Sequence, residues 1–370
     1  MGAAPGRLTQ GTRPHRAAAP SRHTHYGPST TTSRGDAPQI KPYLANLVHL
    51  LAGAVAMARA RVAPCRLGWG QGDVSIGINR RARTPDGRMI LGQNPQGAVD
   101  PRVAVLRIDR KSGGPLAAVL NYACHPVSLD WQCTHISADF PAVARRLVEQ
   151  ETGATCLFVQ GAAANINPLL MGWDWSHISR LGLPLGAEAV RVYMGSTPGD
   201  DSSTGGLAGA RTTLDLPPLL PVSVAEGEEK VAALEAERQR LVTRDEPGAL
   251  WWTDLRLEQA RQGLAALQGG PALPPIQAEL AAVRLGASVG LITAPGEIFT
   301  EIGQAIVAES PFAHTLYAGY TDCSISYVPT RAAYPEGGYE VTHACRVAPD
   351  AGEIIQEESG RLLARARAGV

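Results

Sequence analysis

The 370-residue chain lacks an excess of charge of either sign, since Lys plus Arg and Asp plus Glu both number 34. A balanced chain does not create the long-range field that recruits nucleic acid, an anionic membrane or an acidic substrate. Aromatic residues make up only 5%, whereas Gly (40) and Pro (28) are plentiful. This composition favours many turns and an α/β or mixed fold over a helical bundle. With 44% hydrophobic residues, the chain is long enough to bury a sizeable core.

Paired cysteine motifs, long apolar runs and a secretory leader are also missing. None of the six cysteines lies in a CxxC motif, so reduced thiols are expected rather than a disulfide framework. No apolar run approaches the roughly 20 residues of a membrane span. Residues 1–22 lack the apolar core of a signal peptide and are predicted to form a disordered tail. We therefore expect a cytoplasmic protein without a transmembrane segment.

Hydrophobic spacing predicts several elements. Residues 42–63 have apolar side chains at helical intervals and few charges, which predicts a buried amphipathic helix. Residues 103–108 and 115–122 predict a β-hairpin. Residues 141–150 predict a helix that leads into a short buried strand at 156–160. The second hairpin strand, this helix and the next strand form a βαβ arrangement, and ligands bind beyond the carboxyl ends of such strands.

Two charged amphipathic helices, broken at Asp245-Glu246-Pro247-Gly248, predict a helical-hairpin insertion on the surface over about residues 223–268. A partner-binding arm is the alternative reading of this segment. The pattern as a whole favours an α/β fold in which a mixed β-sheet core is flanked by helices. Residues 23–370 are expected to form one domain that carries the insertion.

The segment His23-Thr24-His25-Tyr26-Gly27-Pro28 is the first candidate for chemistry. Two imidazoles spaced two residues apart project to the same side of an extended backbone. The following Gly-Pro predicts a turn, which would place the pair at the end of a strand. Two exposed, solvated histidines would give the same pattern, so spacing alone leaves both readings open.

Several other predicted strands end in a polar residue near Pro or Gly: His125, Asn165 with Asn167, Glu297 and Tyr327. Together these side chains could line one cleft. Two histidines and a carboxylate suit zinc, which lowers the pKa of its bound water toward about 7 and polarises a carbonyl. Taken singly, His125 also fits a core histidine, Glu297 a charge at a helix start and Tyr327 simple packing.

The order of short motifs resembles the catalytic domain of the neutral/alkaline non-lysosomal ceramidase superfamily. Several motifs in one order are more specific than any one of them. They are His23-Thr24-His25-Tyr26-Gly27-Pro28, Asn79-Arg80-Arg81, Asn121-Tyr122-Ala123-Cys124-His125-Pro126, Ile136-Ser137-Ala138-Asp139-Phe140-Pro141, residues 160–168, Pro295-Gly296-Glu297, Tyr327-Val328-Pro329-Thr330 and Glu336-Gly337-Gly338-Tyr339-Glu340.

This resemblance implies a zinc-dependent amidohydrolase that cleaves an N-acyl amide bond, as in sphingolipid metabolism. It implies one zinc ion, with the ligands His23, His125, Glu297 and Tyr327. It implies that the substrate carbonyl is lined by the catalytic residues His25, Arg80 and Tyr339. It places Asn165 and Asn167 on the substrate side. The implied reaction is attack of a zinc-bound water on an amide carbonyl.

The sequence departs from the family pattern in ways that bear on substrate and activity. Asn167 stands where ceramidases carry a serine, so a small-molecule or lipid-like N-acyl substrate other than ceramide is compatible with the motifs. The family's segment before the HxH motif and its C-terminal β-sandwich domain are not recognisable, which predicts an N-terminally truncated relative. The alternatives are a catalytically impaired binding or scaffold protein of this fold, and a (β/α)₈ metal hydrolase, whose regular strand–helix alternation is missing.

Overall fold

The computed structural model describes residues 23–28, 30, 38–129, 133–199, 206–322 and 324–369. The predicted disordered tail, residues 1–22, lies outside them. Within the described residues the helices are α1 (Ile40–Ala60), α2 (Asp139–Thr152), α3 (Ser176–Gly195), α4 (Val224–Arg244), α5 (Pro247–Leu267), α6 (Thr300–Ala308), α7 (Tyr339–Thr342) and α8 (Ala351–Ala368). The strands are β1 (Cys65–Asp73), β2 (Gly77–Arg83), β3 (Met89–Asn94), β4 (Arg102–Arg110), β5 (Pro115–Tyr122), β6 (Thr155–Gln160), β7 (Ile166–Pro168), β8 (Leu207–Leu216), β9 (Ile276–Leu285), β10 (Val289–Thr293), β11 (Glu297–Ile298), β12 (His314–Ala318) and β13 (Tyr327–Val328).

Two four-stranded mixed sheets form the centre, with strand orders β1-β4-β5-β6 and β12-β10-β9-β8. The predicted β4–β5 hairpin is confirmed, and β5 and β6 run parallel with α2 between them, as the βαβ prediction requires. In the second sheet β10 and β12 are the parallel pair, with α6 between them in the chain. The predicted α/β fold with a mixed sheet core and flanking helices is confirmed.

The two sheets pack face to face, and helices cover their outer faces. Because side chains alternate along a strand, Val105 packs with the helices α2 and α3, whereas Leu106 faces the other sheet. Leu106 meets Val289 and Leu316 between the sheets. The outer face of the second sheet, including Leu280, packs with α6 and α8. The result is a four-layer arrangement of helices, sheet, sheet and helices.

Helices α4 and α5 occupy the interval for which the helical hairpin is predicted. They run antiparallel and are joined by the ion pairs Arg238–Asp254 and Glu235–Arg261. Leu234, Leu241 and Leu257 are buried. Trp252 packs against the core of the second sheet, so the hairpin rests on the body of the domain.

Helix α1 differs from its prediction. It was expected to be buried, yet it has no buried residue, and Leu51 and Val55 are more than half exposed. By length and composition alone α1 could cross a membrane, which a count of consecutive apolar residues does not reveal. The prediction of a buried helix was wrong because an apolar stripe does not specify what packs against it.

Candidate metal centre

Four strands end at one place, and residues that follow them form the site. In the first sheet His125 follows β5 and the small-residue loop 161–165 follows β6. In the second sheet Glu297 lies just beyond β10, and Tyr320 lies just beyond β12. Both strand pairs are parallel, and the carboxyl ends of parallel strands are where open α/β sheets bind ligands.

The two sheets are tied together directly at this edge. The backbone N–H of Gly319 donates to the carbonyl of Gln160 at 2.9 Å. The N–H of Ala164 donates to the carbonyl of Ile298 at 3.1 Å. Side chains that come from different sheets are therefore held at fixed distances from one another.

The segment 23–28 forms a turn and not a strand end, so the predicted extended geometry is wrong. The turn is held on the loop between β5 and α2. The Thr24 hydroxyl donates to the carbonyl of Ser137 at 2.8 Å. The N–H of Ser137 donates to the carbonyl of Tyr26 at 2.9 Å, and the buried Tyr26 hydroxyl donates to the carbonyl of Leu129 at 2.5 Å. These bonds place both imidazoles over the site.

Ligand atoms of three histidines lie within 4.8 Å of one another, and the Glu297 carboxylate contacts two of these histidines. His23 Nε2 lies 3.2 Å from His25 Nε2 and 3.4 Å from Glu297 Oε2. His125 Nε2 lies 3.1 Å from the same carboxylate oxygen. A tetrahedral zinc ion with bonds of about 2.0–2.1 Å holds its ligand atoms about 3.3 Å apart. The His23–His25, His23–Glu297 and His125–Glu297 distances fall near this value.

The hydrogen bonds of His125 fix the tautomer and direction of its ring. Its Nδ1 lies 2.6 Å from the carbonyl oxygen of Ala163 and 3.2 Å from that of Ile166. A carbonyl only accepts, so Nδ1 carries the proton and Nε2 of the neutral ring presents a lone pair. That lone pair faces the Glu297 oxygen, and two acceptors at 3.1 Å need a cation or a proton between them.

At neutral pH these groups are held in the protonation states that metal ligands have. Burial, reinforced by the charge of Arg80, lowers the pKa of His125 to about 4. Burial, reinforced by His125 and His23, lowers the pKa of His25 to about 3, although part of this residue remains exposed. Burial opposes ionisation of Glu297, but contacts with His125 and His23 outweigh it and hold its pKa well below its usual value. Neutral imidazoles and an ionised carboxylate are the forms that bind metal.

Gly296 fixes the carboxylate in place. Its φ is +78°, and a Cβ there would lie 2.5 Å from Ile325 Cγ1 and 2.7 Å from the carbonyl oxygen of Ser326. Only glycine fits this left-handed and crowded position. The next residue, Glu297, pairs with Tyr327 across the two-stranded β11–β13 sheet.

Arg80 is a buried cation beside the candidate metal centre. Its Nε donates to Glu340 at 2.7 Å, its Nη2 to the Tyr327 hydroxyl at 3.0 Å and its Nη1 to Asn167 Oδ1 at 3.3 Å. Burial opposes its charge, but Tyr327 and Glu340 outweigh that cost and hold the pKa of Arg80 above its ordinary value. The guanidinium is therefore charged and fixed in orientation.

Glu340 is a site residue that motif reading quoted but gave no role. It is 1% exposed and also accepts from Arg81 Nη1 at 2.9 Å. Arg81 in turn donates to Glu336 and to the carbonyl of Gly337. The signal was available in the sequence, because a buried arginine requires a carboxylate partner and Glu340 directly follows the predicted site residue Tyr339.

The predicted site residues are mostly brought together. The ring of Tyr339 lies 5.7 Å from that of Tyr327, and the Arg80 guanidinium lies 5.9 Å from the Tyr339 centroid. Asn165 is engaged elsewhere: its Oδ1 accepts from the N–H of Thr300 and its Nδ2 donates to Glu301, at the start of α6. The residues gathered at one place are His23, His25, His125, Glu297, Arg80, Tyr327, Tyr339 and Asn167.

Tyr320 was missed by sequence reasoning. Its ring centroid lies 4.2 Å from that of His23, and the residue adopts a left-handed φ of 58°. Burial and the nearby charge of Glu297 raise the pKa of its hydroxyl well above the ordinary value. The available signal was positional, since Tyr320 follows β12 as Glu297 follows the parallel neighbour β10.

No family model matches the sequence, and a search of curated proteins finds no match. Solved structures do match. The chain is similar to the neutral ceramidase from Pseudomonas aeruginosa, with a TM-score of 0.67 and 21% identity, over 95% of this chain and 61% of that one. It is also similar to a ceramidase complexed with C2, with a TM-score of 0.66 and 18% identity, over 95% and 62% of the two chains. The chain thus has a ceramidase-like fold and spans about three fifths of those proteins, which confirms the predicted resemblance at the level of fold.

Proposed function

We propose that this chain is a zinc-dependent hydrolase that cleaves the C–N bond of an N-acyl substrate. The observation that carries the proposal is a group of ligand atoms from His23, His25 and His125 that lie within 4.8 Å of one another, with Glu297 Oε2 3.4 Å from His23 Nε2 and 3.1 Å from His125 Nε2. The fold shared with ceramidases supports the reaction class. The substrate is proposed to be a small-molecule or lipid-like N-acyl compound.

Zinc bound here would supply a water of lowered pKa and a Lewis acid for the amide carbonyl. His125 would hold the ion through Nε2, because its Nδ1–H is engaged by backbone carbonyls in the way that orients metal-binding histidines. His23 Nε2 and Glu297 Oε2, which lie 3.4 Å apart, would be further ligands. His25 Nε2 lies 3.2 Å from His23 Nε2. The hydroxyl of Tyr327, the predicted fourth ligand, accepts a hydrogen bond from Arg80 Nη2.

Arg80 would stabilise the negative charge that develops on the carbonyl oxygen during amide hydrolysis. A fixed cation in a buried site stabilises negative charge that develops on a carbonyl oxygen, and it needs no reorganisation to do so. Glu340, Tyr327 and Asn167 fix its direction. Asn167 thus contributes by orienting the guanidinium, a role that does not require the serine of the family pattern.

The test is to measure bound zinc and release of fatty acid from a panel of N-acyl amides, for the wild type and for His125→Ala. We expect about one zinc per chain, chelator-sensitive hydrolysis, and loss of both in the variant. Arg80→Lys serves as the matched control, since it should retain zinc while hydrolysis falls by about 10²-fold or more. A wild type that binds no zinc, or a His125→Ala variant with full activity, would refute the proposal. Zinc binding without hydrolysis of any amide would favour the binding or scaffold alternative.

A further inference from the structure

Tyr320 forms part of the wall of the candidate metal centre. Its ring packs against His23 with centroids 4.2 Å apart and planes inclined by 32°. It meets the His125 ring edge to face, at 6.1 Å and 89°. The residue is only 8% exposed. Its ring therefore packs against both imidazoles.

The Tyr320 hydroxyl is buried and has no hydrogen-bond partner among the described residues. Buried tyrosine hydroxyls usually have a partner, because an unpaired one forfeits its hydrogen bonds to water. A neutral phenol both donates and accepts. At this position the missing partner is best supplied by a polar atom of a molecule that enters the site.

The backbone of Tyr320 supports a functional reading. A φ of 58° is unusual for a bulky side chain and costs free energy. The conformation is maintained because the N–H of Tyr320 donates to the carbonyl of Gly296, next to Glu297, at 3.3 Å. The strained residue and the carboxylate are thus set in place by the same backbone contact.

We propose that the Tyr320 hydroxyl donates a hydrogen bond to an oxygen of an N-acyl ligand in this site, while its ring stays packed on His23. The ligand class rests on the proposed function, but the contact does not depend on turnover. Tyr320 is then a ligand-binding residue in addition to the residues that motif comparison assigns.

Tyr320→Phe removes only the hydroxyl and keeps the ring against His23. Tyr317→Phe is the matched control, because Tyr317 also has a buried hydroxyl without a partner. That tyrosine lines a separate cavity of about 90 Å³, together with Asn121 and Arg102. Both substitutions therefore remove a buried hydroxyl, one beside the candidate metal centre and one beside a separate cavity.

The experiment measures binding of N-octanoylglycine to zinc-loaded protein by calorimetry, together with zinc affinity and Tm. We expect Tyr320→Phe to weaken N-octanoylglycine binding about tenfold, as loss of one hydrogen bond predicts, with zinc affinity unchanged. Its Tm should stay equal or rise, since the lost hydroxyl has no partner in the free protein. Tyr317→Phe should bind N-octanoylglycine as the wild type does.

Equal binding by wild type and Tyr320→Phe overturns the proposal, and so does a wild type that binds no N-octanoylglycine. A lower Tm with unchanged binding would show a structural hydroxyl and overturn it as well. Binding that depends on Tyr320 while no octanoate is released would support the contact and refute the hydrolase function, so the two failures are distinguishable.

Discussion

Replacing Glu340 by Gln tests whether Arg80 is held by a buried charge. The carboxylate is 1% exposed and lies 2.7 Å from Arg80 Nε and 2.9 Å from Arg81 Nη1. Gln keeps the volume and one acceptor oxygen but removes the charge, so two buried guanidinium groups lose the carboxylate that they share. Removing one partner of a buried ion pair costs about 3–5 kcal/mol. We expect about 3 kcal/mol, the lower end of that range, because Gln retains an acceptor and Arg81 keeps Glu336.

The assay is urea unfolding followed by circular dichroism, with the free energy compared at equal m values. Glu336→Gln is the control, because Glu336 pairs with the same Arg81 but its side chain is 38% exposed. Since the Glu336 carboxylate stays in contact with water, its loss should cost only about 1 kcal/mol, as for exposed ion pairs. If both variants lose the same free energy of unfolding, the argument from burial is refuted. We also expect Glu340→Gln to retain zinc and lose hydrolysis, since the carboxylate orients Arg80 and contacts none of the predicted metal ligands.

Two further predictions concern the metal centre itself. In metal-free protein the unfolded chain protonates His125 below about pH 6.5, whereas the buried native ring does so only near pH 4. As the pH falls from 6.5 to 4, this residue should therefore lower the free energy of unfolding by about 1.4 kcal/mol per pH unit, as measured from urea midpoints. His125→Gln should lose this contribution to the pH dependence of stability. Gly296→Ala should weaken zinc affinity more than tenfold by displacing Glu297, because its Cβ would overlap neighbouring atoms. Gly87→Ala has a similar φ of +88° in open space, so it should leave zinc affinity unchanged, and equal effects of the two would contradict the steric reasoning.

Local patterning was enough to predict the elements in which one face is buried by a sequence neighbour. The β4–β5 hairpin and the β5-α2-β6 unit bring their own partners, so alternation and loop length identify them. Helix α3 was missed, since Pro184 inside it and glycines such as Gly186 disguise a helix that packs closely on α2. Helix α1 was found but wrongly predicted to be buried, because its burial depends on a partner that its own spacing does not encode.

Within the candidate site, the identity of the residues was easier to predict than the arrangement of their atoms. Residues such as His125 and Glu297 directly follow predicted strands, so their side chains could be placed at the carboxyl edge of the sheets. The separation of His23 from His25 into one metal ligand and one substrate-side residue rests on the resemblance and stays a prediction. The structure sets their Nε2 atoms 3.2 Å apart. Tyr320 could have been found only from its position after β12, the parallel neighbour of β10, because periodicity within one strand does not give the pairing of two strands.

Backbone strain is concentrated around the converging ligand atoms. His23, Tyr320 and Ser326 adopt left-handed φ values of 57°, 58° and 71°, and each such residue costs about 1–3 kcal/mol. Tyr320 and Ser326 lie in the loop between β12 and β13, where Ser326 directly precedes Tyr327, and His23 lies in the 23–28 turn. The strain is sustained by contacts from both sheets and from the anchored 23–28 turn, which hold the His23–His25, His23–Glu297 and His125–Glu297 distances at 3.2, 3.4 and 3.1 Å. We infer that metal affinity here depends on the integrity of these loops as much as on the ligands, which is why Gly296→Ala discriminates as sharply as replacement of a histidine.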